Sequence, residues 1–227
     1  MKSRLLLKEI RLTVDGLHSG VIQLPTGLRL DPGRYILANG VDDPRELFPT
    51  PLFAMSEQKN GLVQVAPPLP ESWYAGMSLA ARGPLGKGFQ LPASAHHVLL
   101  GSTSAPVPHR LLALIAPALR QGAAVAVAGS ALPDGLPAEV EWISPDSLAE
   151  AAAQWADFTA LEVSFAEIKN LRSLLGLKPG SHPSGQIQIL ATGAMPCGGS
   201  AACGLCSIPG RKSQRLACTD EIGRAHV

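Results

Sequence analysis

The first 92 residues carry short apolar runs that alternate with polar positions and are separated by turn-forming residues. Runs such as GVIQLP, GRYILAN and GLVQVAP contain the β-branched and aromatic side chains that suit a half-buried pleated surface. Turn signals stand between the runs: DPG at 31–33, KNG at 59–61 and GPLGKG at 83–88. The pattern predicts an all-β domain over residues 1–92, built as an antiparallel barrel or sandwich.

From His96 the pattern changes to strands that alternate with helices. The runs HHVLLG, AAVAVAG and AEVEWI have the composition of buried strands. The stretch PHRLLALIAPALRQG, between the first two, predicts a helix that ends at Gly122. Such alternation is typical of an α/β domain with a parallel sheet. We assign residues 93–180 to this domain.

Two further helices carry local start signals. SPDSLAEAAAQWA offers Ser144 as N-cap with Pro145 at the first helical position. SFAEIKNLRSLLG offers a capping box from Ser164 to Glu167, with Gly176 as the stop.

A third, small unit follows over residues 181–220. Prolines and glycines at 177–185 indicate a linker. QIQILA at 186–191 then predicts a short strand that leads into a loop containing the cysteines.

Composition and charge narrow the classes of partner. The 227 residues have a formal net charge of +1, and no basic block is interleaved with aromatic residues, so we expect no nucleic-acid binding. The longest charge-free apolar stretch, 111–119, is far shorter than the roughly 20 residues of a membrane span. The opening MKSRLLLKEIRLTV lacks the apolar segment of a secretory signal. We therefore expect a cytoplasmic protein with reduced thiols and no membrane partner.

All four cysteines lie in one segment of the third unit, with the spacing Cys-x5-Cys-x2-Cys-x11-Cys. A Cys-x2-Cys pair on a glycine-rich loop brings two thiolates to one metal centre, and plant-type 2Fe-2S sites use Cys-x4-Cys-x2-Cys with a distant fourth cysteine. The pattern favours a 2Fe-2S cluster. The alternative is a structural zinc site, although four-cysteine zinc sites usually show two closely spaced pairs. In either case the metal ligands are Cys197, Cys203, Cys206 and Cys218.

Three stretches resemble the electron transfer subunit of dihydroorotate dehydrogenase. QIQILATGAMPCGGSAACGLC, with a later Cys-x-Asp, looks like the C-terminal cluster domain of that family. RLDPGRYILAN at 29–39 is similar to its PGQF barrel segment, and GPLGKGF at 83–89 is similar to its GPLGNGF turn. The resemblance implies an N-terminal antiparallel β-barrel that binds FAD, a central ferredoxin-reductase-like α/β domain and a C-terminal iron–sulfur module.

The same resemblance implies a function. In the family, the cluster passes electrons between the flavin and a catalytic subunit that oxidises dihydroorotate to orotate in pyrimidine biosynthesis. We therefore expect a hetero-oligomer with a dihydroorotate dehydrogenase catalytic subunit. The alternative is a scaffold or binding module without catalysis, held by the zinc site described above.

The chain departs from this family at the cofactor motifs. The family's Arg-Pro-Phe-Ser is expected near residue 50, where this chain has TPLFAMS and no arginine for the flavin phosphates. The family's GGGIGVAP turn is replaced by GSTSAPVP, and its Cys-Gly-Pro motif by LEVSFAEIKN. We expect a divergent member with a degraded nicotinamide site, in which FAD is possible although its usual motif is not present. It would relay electrons, and we assign it no catalytic residue.

Other polar residues carry weaker signals. Ser102 and Ser104, at the turn after the first α/β strand, are interpreted as a helix cap; the alternative is a phosphate contact. The segment GRKSQR at 210–215 is either a solvated hairpin tip or a cationic docking surface for an acidic partner. Four histidines are interpreted as isolated residues and not as ligands: His96, His97, His109 and His182.

The last seven residues, EIGRAHV, coincide with the translation of a common sequencing-library adaptor. We interpret residues 221–227 as a sequence artefact, and we assign no role to His226.

Overall fold

The N-terminal part of the chain forms a curled antiparallel sheet. A computed structural model describes residues 2–41, 48–177, 183, 185–193, 197–209, 214–220 and 222–224. The six strands of this sheet lie in the order β4-β3-β6-β1-β2-β5. They are β1 (Lys2–Leu12), β2 (His18–Gln23), β3 (Tyr35–Gly40), β4 (Thr50–Phe53), β5 (Leu62–Val65) and β6 (Ser78–Leu85).

The two edges of this sheet meet, so that it closes on itself. Ala54, just beyond β4, forms an antiparallel bridge with Val65 of β5. The backbone N–H of Ala66 donates to the carbonyl of Phe53 at 2.9 Å. Closure satisfies edge groups that would otherwise be unpaired. The predicted antiparallel barrel domain is confirmed.

The second sheet is parallel and lies in the order β14-β11-β10-β7-β8-β9. Its five parallel strands follow the order of a doubly wound fold, which places a topological switch point between β7 and β10. The remaining strands of the chain are β7 (His97–Ser102), β8 (Ala124–Ala128), β9 (Val140–Ile143), β10 (Phe158–Ser164), β11 (Gln186–Thr192), β12 (Ser207–Pro209), β13 (Gln214–Leu216) and β14 (Ile222–Arg224).

Strand β14 is antiparallel to β11, with Leu190 opposite Ile222, and β12 pairs with β13 as a separate hairpin. The α/β fold class is confirmed, whereas the predicted domain limits and the artefact interpretation of 221–227 stay predictions.

The helices are short, and three of them begin as 3-10 turns. The helices are α1 (Ile115–Arg120), α2 (Leu148–Gln154), α3 (Leu171–Leu174) and α4 (Ala217–Asp220), and the turns span His109–Leu114, Pro145–Ser147 and Ile168–Asn170. No helix within the described ranges is long and apolar enough to cross a membrane.

The local start and stop signals have different outcomes. The Ser144 hydroxyl accepts a hydrogen bond from the N–H of Asp146, with Pro145 beginning the turn, so this predicted cap is confirmed. Gly176 has a φ of +61° just after α3, as a helix stop requires. The predicted contact between Ser164 and Glu167 forms, but the role of Ser164 as helix N-cap is wrong, because the Ile168–Asn170 turn that precedes α3 begins after Glu167 and has no side-chain cap.

Several predictions concern residues outside the described ranges. These are most of the linker at 177–185, His182, residues 210–213 of the cationic segment, and His226.

The two domains share one hydrophobic core. Tyr35, Leu37 and Phe53 of the barrel pack in the same cluster as Leu100, Leu111 and Val127 of the α/β domain. A second cluster fills the barrel, around Leu7, Ile22 and Leu79. A third covers the other face of the parallel sheet, where Leu148 and Leu171 lie near Leu161. The barrel and the α/β domain therefore meet through buried apolar side chains.

A buried polar contact joins the same two domains. The Asp15 carboxylate, in the turn between β1 and β2, lies 3.0 and 3.1 Å from Nε2 of His109. The Thr13 hydroxyl donates to Asp15 at 2.6 Å. Burial would raise the pKa of Asp15, but the hydrogen bonds from Thr13 and His109 outweigh it and hold this pKa below its usual range. His109 is solitary in the sequence, but the fold places it against the Asp15 carboxylate.

His96 and His97 also meet a carboxylate. Their backbone N–H groups donate to Asp157 Oδ2 at 2.9 and 3.0 Å, and Nδ1 of His97 lies 3.3 Å from the same atom. Asp157 immediately precedes β10, whereas His97 begins β7. The contact therefore fixes the entry of two neighbouring strands.

Candidate metal centre and interdomain crevice

The four cysteines lie in one structural unit, which we call the cysteine module and define as residues 197–209 and 214–220. Cys206 and Cys218 are buried, with 1% and 3% of their surface exposed. Cys203 is exposed and Cys197 is half-buried. The module therefore has an inner and an outer pair of thiols.

The loop that carries the outer pair has an unusual backbone. Gly198, Gly199 and Gly204 have φ values of +59°, +69° and +70°, and Ala201 has +64°. These left-handed conformations suit glycine. Successive turns of this kind point backbone N–H groups to one side, where they favour an anion.

Those N–H groups act on the Cys197 sulfur. The backbone N–H of Cys203 is the strongest influence, joined by its thiol, the Ser200 hydroxyl and the N–H of Ala202. These hydrogen bonds lower the pKa of Cys197 to about 6. These hydrogen bonds therefore favour the thiolate form of Cys197.

The inner pair has the opposite tendency. Burial raises the pKa of Cys218 to about 11, and the hydrogen bond and charge of Cys206 act in the same direction. The N–H of Ala201 opposes this rise, and the charge of Cys197 adds to it. A buried thiol of this kind ionises when a metal cation binds, because the cation supplies the missing positive charge.

The donor set fits a metal held by sulfur. Within the described ranges, no three His, Cys, Asp or Glu side chains are drawn together closely enough to hold an ion. The thiols stand instead as two contacting pairs, Cys197 with Cys203 and Cys206 with Cys218, with Cys197 close enough for its charge to act on Cys218. Four soft thiolates select zinc or an iron–sulfur cluster. The residues therefore fit both metals that the spacing predicts.

Both large domains contact the cysteine module. On the barrel side, the Tyr35 hydroxyl donates to the carbonyl of Cys218 at 3.0 Å. Nη2 of Arg82 donates to the carbonyl of Gly198. On the α/β side, Ala191 of β11 packs in one cluster with Cys206 and Cys218.

The second candidate place is the interdomain crevice, by which we mean the carboxyl ends of β7 and β10 where they face Phe53. Glu162 of β10 is buried and forms an ion pair with Arg110. Arg110 also donates to the carbonyl of Pro67 at 3.3 Å and lies over the ring of Phe53, with Cζ 5.8 Å from the ring centroid. Phe53 in turn stacks on Tyr35 with 5.5 Å between ring centroids.

No part of this arrangement follows from a sequence motif. Arg110 and Glu162 stand 52 positions apart, and the only local signal is an acidic residue within the apolar run FTALEVS.

A second carboxylate lies beside the crevice, at the ends of β7 and β10. Glu167 Oε2 accepts hydrogen bonds from the hydroxyls of Ser164 at 2.8 Å and Thr103 at 2.9 Å. The bond from Ser164, aided by Thr103 and opposed by burial, holds the pKa of Glu167 below its usual range. Glu167 thus links the ends of β7 and β10.

Ser102 also differs from the prediction. Its hydroxyl accepts from the N–H groups of Ser104 at 3.3 Å and Ala105 at 3.0 Å. The following helical turn begins only at His109, without a side-chain cap. The interpretation of Ser102 and Ser104 as a helix cap is therefore wrong, because the hydroxyl of Ser102 caps the loop itself.

The crevice does not fit a flavin ring against Phe53. An isoalloxazine needs an open apolar face, whereas Phe53 is 3% exposed and Tyr35 is fully buried. Arg110 and Tyr35 both lie against Phe53.

Comparison with known proteins identifies the fold. No family model and no curated protein matches the chain. Among solved structures, an NADH-dependent reduced ferredoxin-NADP oxidoreductase described for flavin-based electron bifurcation has a TM-score of 0.70 at 15% identity, over 96% of this chain and 88% of that chain. The ferredoxin reductase of carbazole 1,9a-dioxygenase has a TM-score of 0.60 at 17% identity, over 78% of this chain and 65% of that chain.

Phthalate dioxygenase reductase, described as transferring electrons from pyridine nucleotides to [2Fe-2S], has a TM-score of 0.58 at 12% identity, over 84% of this chain and 68% of that chain. This chain therefore spans about two thirds of the latter two proteins. At these identities the comparison shows the ferredoxin-reductase-like fold, as predicted.

Proposed function

We propose that the chain is an electron-transfer subunit that relays electrons through a 2Fe-2S cluster. The cluster is held by Cys197, Cys203, Cys206 and Cys218. The observation that carries the proposal is that one module holds an inner and an outer thiol pair, with N–H groups directed at the Cys197 sulfur. Such N–H groups stabilise an anionic cluster and tune its potential. The fold adds support, because phthalate dioxygenase reductase is described as an electron-transfer protein.

Burial of the thiols suits a relay. The buried Cys206 and Cys218 anchor the cluster, and the apolar side chains around them limit the access of water. Cys203 and its neighbour Leu205 are exposed. When bound, a 2Fe-2S cluster would supply one-electron chemistry, and the exposed Cys203 would be the ligand that a partner can approach.

The partner that we propose is the flavin-bearing catalytic subunit of a dihydroorotate dehydrogenase, in a hetero-oligomer that serves pyrimidine biosynthesis. Support comes from the resemblance of the cysteine segment and of GPLGKGF to the electron transfer subunits of that family.

We further propose that the chain relays electrons without binding a nicotinamide nucleotide. Doubly wound folds bind dinucleotides at the switch point, where free backbone N–H groups meet the phosphates. Here the N–H groups of Ser104 and Ala105 donate to the hydroxyl of Ser102, so they already have a partner. The carboxylate of Glu167 lies at the neighbouring strand end, and its negative charge repels a pyrophosphate.

Metal analysis with a visible spectrum tests the cluster. The purified chain should be red-brown and contain about two irons. The Cys206→Ser variant should lose the visible absorbance, whereas Leu205→Ala, which changes an exposed residue of the same loop, should keep it. Unchanged absorbance in Cys206→Ser would contradict the ligand assignment.

The same sample separates the alternatives. A colourless protein with one zinc per chain would favour the scaffold with a structural zinc site. FAD bound at one per chain and reduced rapidly by NADH would contradict the relay without nicotinamide.

A further inference from the structure

We propose that Arg82 and Tyr35 are positioning residues for the cluster: they fix both ends of the cysteine module to the barrel, and the charge of Arg82 raises the reduction potential. The proposal rests on the proposed function, since it presupposes the cluster.

Arg82 brings a positive charge to the loop that carries the outer thiols. It lies on β6, opposite Leu37 of β3, and its Nη2 donates to the carbonyl of Gly198, the residue after Cys197. No carboxylate in the described part of the chain pairs with Arg82. A cluster with four thiolate ligands is anionic, and it gains a further negative charge on reduction. A nearby guanidinium therefore stabilises the reduced state more than the oxidised state.

Tyr35 holds the other end of the module. Its side chain is fully buried, and its hydroxyl donates to the carbonyl of Cys218 at 3.0 Å. The stacked ring of Phe53 fixes the orientation of the Tyr35 ring. The hydrogen bond therefore sets the position of the backbone that carries an inner ligand.

Gly199 shows that the two contacts belong to one surface. A Cβ added to Gly199 would lie 3.0 Å from the Tyr35 hydroxyl oxygen and 3.5 Å from Nη2 of Arg82. The loop backbone thus rests directly on both side chains. Strands β3 and β6, which pair with each other, present the two donors at a fixed separation.

The test compares Arg82→Gln with Arg82→Lys. Glutamine has no charge, whereas lysine keeps the charge. The reduction potential is measured by equilibration with redox dyes, followed through the EPR signal of the reduced cluster. We expect Arg82→Gln to lower the equilibrium constant for reduction about tenfold, which for one electron equals about 59 mV, and Arg82→Lys to restore most of it.

Arg11→Met is the matched control. Arg11 lies on β1, nine residues beyond the Lys2 that pairs with Arg82, and thus roughly 30 Å away along the strand. The control removes the same charge at a distance, and the potential should stay unchanged.

Tyr35→Phe tests the anchoring role independently. We expect normal iron content after purification but severalfold faster loss of iron to a chelator, because the Cys218 carbonyl loses its donor. This variant keeps the ring and its stacking, so the inference remains testable if the Arg82 variants fail to fold.

The outcomes distinguish this inference from the proposed function. A wild-type potential in Arg82→Gln, with full iron content, would overturn the role of Arg82 and leave the relay standing. An equal shift in Arg11→Met would overturn it too, and an unchanged rate of iron loss in Tyr35→Phe would overturn the role of Tyr35. A wild-type protein that binds zinc would overturn both proposals.

Discussion

Asp15 keeps a carboxylate inside the protein because its oxygens are fully engaged. Its side chain and that of His109 are each 6% exposed, and the Thr13 hydroxyl completes the set of donors. A buried charge without such partners would cost several kcal/mol. The pair therefore stabilises the contact between the first barrel turn and the start of the α/β helical region.

We predict that Asp15→Asn lowers the free energy of unfolding by about 1–3 kcal/mol at neutral pH. The folded-state pKa of Asp15 lies below the ordinary value of 3.8. Its contribution is thus complete above pH 3.8 and is lost as the pH falls through the lower folded-state value. Urea unfolding across acid pH should show that the variant lacks this part of the pH dependence.

Asp134→Asn serves as the control for this prediction, because Asp134 is exposed and its substitution should leave stability nearly unchanged. Equal stability of the Asp15→Asn variant and the wild type at neutral pH would contradict the role of the pair.

The residues of the site differ in how well the sequence alone predicts them. The four cysteines can be singled out from the sequence because three of them lie within ten positions, a spacing that favours a shared metal. Arg82 and Tyr35 cannot, since they contact residues 116 and 183 positions away. The partner of His109 is likewise 94 positions distant.

At the scale of the elements, the loop between Cys197 and Cys206 requires positive φ values at several of its residues. Gly199 and Gly204 have nearly the same positive φ. They differ in surroundings, because a Cβ on Gly199 would press against Tyr35 and Leu37, whereas one on Gly204 meets nothing within 4 Å.

We predict that Gly199→Ala weakens metal retention more than Gly204→Ala. Both variants carry about 1 kcal/mol of backbone strain, but only Gly199→Ala also displaces the loop from the barrel. Iron release to a chelator and thermal unfolding measure the difference. Equal effects of the two variants would mean that the barrel contact has no influence on the loop.

The helices show why element ends are only partly predictable. Ser144 and Pro145 act on groups one or two residues away, so their signal is complete in the sequence. Glu167 has an equally good local signal with Ser164, yet its carboxylate is shared with Thr103 from another strand. A tertiary partner thus replaces the local cap, and the helix begins only at Leu171.

At the scale of the whole molecule, Arg110 forms polar contacts between the two domains, in addition to the apolar contacts of the shared core. It connects the Pro67 carbonyl of the barrel with Glu162 of the parallel sheet. Glu162 is buried, and its Oε2 has no partner among the described residues. The carboxylate therefore depends on Arg110 for its charge balance.

We predict that Arg110→Met lowers the free energy of unfolding by about 3–5 kcal/mol, because it removes the ion-pair partner of the buried Glu162 side chain. The double variant Arg110→Met, Glu162→Met should regain most of this loss. Denaturant unfolding provides the measurement. Arg120→Met, which breaks an exposed pair with Glu57, should cost at most about 1 kcal/mol. A double variant as unstable as the single one would contradict this account.

The alternation of apolar residues was sufficient to predict both fold classes, since each domain follows its own period in a continuous stretch. The joining of their cores was not predictable. Phe53 and Leu111 have the same apolar signal as residues that face only their own domain, and nothing local distinguishes a side chain that packs across an interface.

The hydrogen bond from Tyr35 to Cys218 spans 183 positions of the chain, and this has a consequence for biogenesis. The third strand of the barrel is synthesised long before the last cysteine leaves the ribosome. The environment of the thiols is complete only when Tyr35 and Cys218 have met. Under the proposed function, metal insertion is therefore a late step of maturation, because a loaded site needs both the folded barrel and the cysteine module.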